Sequence, residues 1–271
     1  MMTNKKSGWL GQVKVSAAIV AMFCCSLILI RCNSKIDDEQ VSSLNISSDL
    51  TEVDLPILPP SGFRFDEDLR NALTFTISKN TLRIGNKVAE VNEIANLQGA
   101  DDGRSLPIIM MVDKNQPMGF VRNVQMALRD ADRRKLLYIG ETASGDRVEV
   151  VLMLPPHPEI GLSTGNVPEE HLLKINLGDN EGEANKQKVY DFIMSYVSKG
   201  NAELAVVGAK MDDDGTFGTY LLNFFYVKEG YIKIYQERTQ KMYGKDFYQT
   251  NEEEYRAVRE KIPTNISIAE D

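Results

Sequence analysis

An α+β fold carried behind a single N-terminal membrane helix is the class this sequence predicts, and three observations lead there. From Val15 to Ile30 no side chain is an acid or base charged at neutral pH. Around Phe75 the chain alternates apolar and polar residues with period two, the mark of a strand with one buried face. Beyond it, short apolar strand runs are separated by stretches whose apolar residues recur at helical spacing.

The apolar run comes first. About 16 residues at about 1.5 Å rise span about 24 Å, short of a ~30 Å hydrocarbon core but extended when Lys14 and Arg31 snorkel at its ends. It ends in Ile-Leu-Ile-Arg-Cys, without the small residues a signal peptidase needs, so the run is expected to remain as an anchor. Cys32 suggests a lipid attachment, but Arg31 stands where a small residue would precede the modified cysteine, and a protein helix is the favoured reading. Lys5, Lys6 and Lys14 before the run, against Asp37, Asp38 and Glu39 after it, place the N-terminus in the cytoplasm and export the rest.

The division that follows is a cytoplasmic tail at 1–12, a transmembrane helix at 13–31, a periplasmic linker at 32–62, a first folded domain at 63–155 and a second α/β region with C-terminal helices at 156–271. The linker closes in "VDLPILPPSGF", whose prolines keep the chain extended; a stiff spacer is favoured over a docking segment.

In the first domain, "LTFTISKNTLRIGN" sets Leu73, Phe75 and Ile77 against Thr74, Thr76 and Ser78, then turns at Lys79-Asn80 into a second strand. A short helix is expected at Val91 to Leu97. "LPIIMMVD" follows as a fully apolar strand. The helix "GFVRNVQMALRDADRR" puts Val121, Val124, Leu128 and Ala131 on one stripe, with Arg122, Arg129 and Arg133 outside it, and "KLLYIGET" returns as a strand. The order ββαβαβ predicts one sheet with helices on one face.

After the strand in "RVEVVLMLPP" and a Pro- and Gly-rich connection come the strand "HLLKINLG", a helix with Val189, Phe192, Ile193, Tyr196 and Val197 on one face, and the strand "LAVVGAK". From Phe217 to Tyr243 apolar residues step by three and four, favouring one long helix; a helix ending at Gly230 followed by a strand "YIKIY" is the alternative. "TNEEEYRAVREKIP" supplies a helix capped by Thr250 and stopped at Pro263. Leu106 to Thr142 and Glu203 to Thr239 run roughly in parallel, which suggests two related modules.

Composition and motifs bound the function. A net charge of −8 with no basic run argues against nucleic acid. The three cysteines, Cys24, Cys25 and Cys32, all lie in or beside the apolar run, so no disulfide framework or CxxC metal site is predicted. His157 and His171 are read as ordinary surface or strand residues. "KMDDDGTFG" lacks the first carboxylate and the bidentate Glu of a calcium loop, because Lys210 and Leu221 occupy those places, and it reads as an acidic turn whose oxygens cap the next helix. No phosphate loop or nucleophile elbow is present, so no enzyme activity, cofactor or metal is predicted. Asp113-Lys114 is favoured as a surface ion pair over part of a partner-binding edge. Leu73, Phe75 and Ile77 are either ordinary core or, if their strand is a sheet edge, a place where a partner strand adds.

Taken together, the single anchor, "VDLPILPP", "LTFTISKNTLRIGNKVAEV" and "LPIIMMVDKNQPMGFVRNVQMALRDADRRKLLYIGET" resemble the ExbD/TolR family of biopolymer-transport proteins, with the pieces in the family's order. The strand, the Asp113-Lys114 turn and the helix opened by Gly119 look like the family's core; "VYDFIMS" and "LAVVGAKMDDDGTFGTYLLNFF" look like a longer variant. The resemblance implies an inner-membrane, single-pass subunit that dimerises with itself or a second ExbD-like chain. Its implied partners are an ExbB/TolQ-like polytopic subunit and a TonB-like energiser, and the complex couples proton motive force to transport or envelope work. The family's membrane aspartate is absent: Ser16 takes its position, and no Asp or Glu occurs from Met1 to Ile36. A hydroxyl does not titrate in the physiological range, so an accessory role is implied. The alternative is a membrane- or lipid-anchored periplasmic binding or scaffold domain without a motor role.

Overall fold

The computed structural model describes residues 53–63, 69, 72–97, 107–155, 167–179 and 181–268. The apolar run, Ser16, Cys32 and His157 lie outside the described residues. Among those described, no helix is long and apolar enough to cross a membrane.

Strand β1 (Thr74–Ser78) turns at Lys79 and Asn80, both at positive φ (51° and 57°), into β2 (Thr81–Ile84). Two consecutive left-handed residues match the twist of a tight hairpin. A third strand, β3 (Lys87–Ala89), extends the hairpin antiparallel to β2, and the short helix expected next is a 3-10 turn at Val91–Asn96. Strand β4 (Ile108–Val112) runs parallel to β1, helix α1 (Met118–Asp130) crosses back, and β5 (Lys135–Glu141) lies parallel to β4. Strand β6 (Arg147–Met153) closes the sheet antiparallel to β5, giving the order β3-β2-β1-β4-β5-β6.

All five residues of β4 are buried because both faces of the sheet are covered. Ile108, Met110 and Val112 join the main core with α1, while Ile109 and Met111 pack with Leu137, Ile139 and Leu69 on the opposite face, against Leu55 and Ala72. Helices therefore cover one face and the segment preceding β1 covers the other. Strand β1 lies between β2 and β4, with Phe75 and Ile77 fully buried and Leu73 just outside it, 38% exposed. The Leu73, Phe75 and Ile77 strand is thus internal, its main-chain groups are already paired, and it offers no edge to a partner. Arg129 and Arg133, expected outside the α1 stripe, are buried at 6% and 8% exposure. Periodicity alone assigns both side chains to solvent, and the fold encloses them.

The second lobe repeats the theme with parallel strands only. Strand β7 (Leu172–Asn176), helix α2 (Gly182–Val197), β8 (Val206–Lys210), helix α3 (Phe217–Tyr243), helix α4 (Glu252–Arg259) and β9 (Ile266–Ile268) form a three-stranded sheet in the order β7-β8-β9. The chain thus ends its fold on a strand paired with β8, where the sequence predicts a helix. The cap of α4 is Asn251, whose side chain accepts from the Glu254 N–H while Glu254 reaches back to the Asn251 N–H. Thr250, the expected cap, is buried and donates to the Phe247 carbonyl instead.

Helix α3 is continuous over 27 residues and excludes the alternative strand "YIKIY". Gly230 belongs in its interior because α2 packs there: a Cβ at 230 would lie 2.8 Å from the Val189 side chain and 2.9 Å from the Lys186 carbonyl. One continuous core runs through both lobes, and Phe217 of α3 sits 5.1 Å, ring to ring, from Tyr138 of β5.

Helix propensity alone favours Gly230→Ala by ~1 kcal/mol, whereas overpacking typically costs ~1–3 kcal/mol. Gly230→Ala is expected to lower the urea denaturation midpoint of the full chain; a raised midpoint would refute the close α2–α3 approach.

Candidate functional site

The two strand-to-helix turns meet each other. Asp113–Gly119 leaves β4 and opens α1; Asp212–Gly218 leaves β8 and opens α3. Both read Asp, four residues, Met or Phe, then Gly. Pro117 and Thr216 form an antiparallel bridge. Around it the Met118 N–H donates to the Gly215 carbonyl (2.8 Å), Phe217 N–H to Gln116 (2.8 Å), Gly119 N–H to Asp213 (2.9 Å) and Gly218 N–H to Lys114 (2.8 Å). The first N–H groups of a helix have no partner within it. Each of these helices finds partners for two in the turn of the other, so α1 is stable behind Pro117, which has no capping side chain.

The expected parallel between the halves is present with a shifted register. Aligning Leu106 with Glu203 would set Asp113 on Lys210, whereas the hydrogen bonds set it on Asp212. The aspartates of the second turn do not cap α3: Thr216 Oγ1 accepts from the Thr219 N–H, and Asp213 pairs with Arg122 of α1 at 2.5 Å. Arg122 also donates to the Met211 carbonyl.

The first turn holds the linker. Lys114 Nζ lies 2.7 Å from Asp54 Oδ2 and its N–H donates to the Asp54 carbonyl. Asp113 bonds locally, Oδ1 accepting from the Asn115 N–H and Oδ2 from Asp54. Asp113 and Lys114 therefore do not serve as a pair for each other; both hold Asp54. The strap continues alongside the end of β5, where Leu58 N–H donates to Glu141 and Glu141 N–H to Pro56. Gly140 permits this, since a Cβ there would lie 2.7 Å from Leu58 and 2.9 Å from the Pro56 carbonyl. The "DLPILPP" segment is thus docked, and the folded part takes in Asp54 to Leu58 rather than beginning after the linker. Buried Gln116 exchanges hydrogen bonds with Asn80, tying the turn to the β1–β2 hairpin.

Electrostatics at the site are mild. Hydrogen bonding to Asp54 raises the Lys114 ammonium above its ordinary value. Burial lifts the phenols of Tyr138 and Tyr220, and the Gln125 amide donates to the Tyr138 hydroxyl. Lys228 of α3 is the strongest departure among the cations. Part of its side chain is accessible, yet its amine donates to the Val151 carbonyl of β6 (2.8 Å) and lies 5.8 Å from the Phe63 ring. Burial pushes it down to about 8, with Glu229 opposing and Arg259 reinforcing the fall.

Among the described residues no three His, Cys, Asp or Glu side chains converge on a metal position. His171 packs edge-on against Tyr196, Nδ1 3.0 Å from its hydroxyl. An open, mainly apolar hollow of about 490 Å³ lies between Pro59, Pro60, Ala143 and Leu222, and another of about 510 Å³ lies over Gly208 between Lys174 and Lys210. Neither brings together a nucleophile and a base. The sequence signals Asp113, Lys114 and Gly119; it misses Asp54, Gly140, Asp213 and Gly218, although the repeated Asp-to-Gly spacing carries the last of these. Comparison with protein-family models, with curated proteins and with solved structures finds no match.

Gly140→Val is expected to expel the strap and speed amide exchange at residues 54–58 by about tenfold or more, the equivalent of a ~1–3 kcal/mol overpacking cost. Unchanged exchange would remove Gly140 from the docking. For Lys228 the folded chain releases a proton near pH 8 that the unfolded chain keeps to about 10.4, so this residue makes stability rise with pH across that interval. Lys228→Met should flatten the rise, as read from urea midpoints at pH values on either side of about 8.

Proposed function

We propose that the chain is a non-catalytic inner-membrane subunit of an ExbB–ExbD/TolQ–TolR-like energy-transducing complex, working as an accessory partner rather than as the proton carrier. The observation that carries this reading is the strand, Asp113-Lys114 turn and Gly119 helix clasping an extended strap that leads back toward the apolar run. A main-chain clasp between a membrane-directed linker and a packed α/β body is suited to transmitting force, and both lobes share one continuous core that resists separation. The accessory role rests on Ser16: a hydroxyl donates and accepts hydrogen bonds but carries no titrating charge. In this reading the N-terminus is cytoplasmic, the lobes are periplasmic, and the partners are a polytopic ring subunit, a TonB-like energiser and an aspartate-bearing sister chain.

The same missing carboxylate favours a second reading, a membrane- or lipid-anchored periplasmic scaffold without a motor. A mild-detergent pull-down of the full-length chain separates the two. Recovery of a polytopic subunit with an aspartate-bearing sister supports the first; a chain recovered alone, or with lipid on Cys32, supports the second. If the motor reading holds, Ser16→Asp is expected to add a proton-dependent activity to a complex assembled without the sister.

A further inference from the structure

The contact between the two turns obeys a simple rule. Exchanging each residue for its counterpart, Gln116 for Gly215, Lys114 for Asp213, Met118 for Phe217 and Gly119 for Gly218, converts each of the four hydrogen bonds into another of the four. That reciprocity is the property of a two-fold interface between like subunits, in which the same patch is used on both sides. Here both patches belong to one chain. All four bonds are made by main-chain groups, so geometry is the first requirement for a partner. The second is glycine at the head of each helix: a Cβ at Gly119 would lie 3.2 Å from Asp213 Cβ, and one at Gly218 would lie 3.0 Å from both the Cβ and the carbonyl of Lys114.

Side chains add a charge code. Arg122 of the first lobe meets Asp213 of the second. In a pairing of two first lobes, Arg122 would face Lys114, the counterpart of Asp213. In a pairing of two second lobes, Leu221, the counterpart of Arg122, would face Asp213 and leave that carboxylate without a cation. The first like pairing is repulsive and the second lacks the ion pair, so only the pairing of unlike lobes is complementary.

We infer that the junction is a subunit interface internalised in a single chain: the 113–119 turn is a docking surface for a second strand–turn–glycine–helix unit with an acidic residue at the Asp213 position, and this chain fills it with its own second lobe. One chain then forms a complete lobe pair, and it does not recruit another copy of itself through this surface. The inference rests on the folded lobes and is independent of the motor reading, because it is tested without the ring partner.

The test is the number of chains per particle, by light scattering of the full-length protein in mild detergent with the detergent mass subtracted. The wild type is expected to contain one chain. Gly218→Val with Arg122→Ala wedges the internal junction open and removes the like-charge contact, so two freed first lobes pair and the particle contains two chains. Adding Gly119→Val blocks that surface and returns the particle to one. Far-ultraviolet circular dichroism accompanies each variant, and if the valine abolishes the helical signal the reading moves to Gly218→Ala with Arg122→Ala, for which a dimer fraction rising with concentration is expected. A helical Gly218 variant that stays at one chain at every concentration overturns the inference, as does a wild-type dimer that Gly119→Val dissociates.

Discussion

The donors at a helix start must find partners, and in this protein two helices satisfy them on each other. Met118 and Gly119 of α1 and Phe217 and Gly218 of α3 give their N–H groups to the opposite turn. That exchange fixes where α3 begins, and the rest of its 27 residues then lies across the cores of both lobes. The position of α3 brings Phe217 against Tyr138, Asn223 within reach of the Leu177 carbonyl, and Lys228 onto the edge of β6. If α1 and α3 could not approach, these contacts would have no common frame.

The approach depends on glycine at both helix starts and, further along, on Gly230 against α2. Helix-interior glycine is ordinarily unfavourable, so a helix that retains one is being shaped by a neighbour. The strap uses the same device where Gly140 leaves room for Pro56 and Leu58 to run beside β5. Close main-chain approach therefore recurs at the lobe junction, the helix pair and the linker. The ion pairs at Lys114–Asp54 and Arg122–Asp213 have exposed partners, and such pairs typically contribute under ~1 kcal/mol each. They select orientation and partner rather than supply stability.

The proposed work of the protein follows from that construction. Among the described residues the strap is held to the two-lobed body by main-chain bonds, from Lys114 to Asp54 at one end and between Glu141 and Pro56 and Leu58 at the other. The charge asymmetry between Lys114 and Asp213 lets two lobes of related shape remain distinguishable.

The sequence by itself determined the alternation of strands and helices, the Lys79-Asn80 hairpin, the unbroken α3 and the turn ending in Gly119, because each leaves a local mark in period, turn chemistry or glycine placement. It also carried the echo between Asp113–Gly119 and Asp212–Gly218, although parallel reading alone set the register wrongly. Only the tertiary structure decided that β1 is internal, that Arg129 and Arg133 are buried, that Asp54 to Leu58 is docked, and that the chain ends on β9. Each of these depends on which distant segment covers a given edge or face. Periodicity reports that a face is apolar or polar, but the identity of its neighbour is settled only when segments far apart in the chain compete for the same main-chain hydrogen bonds and the same buried surface.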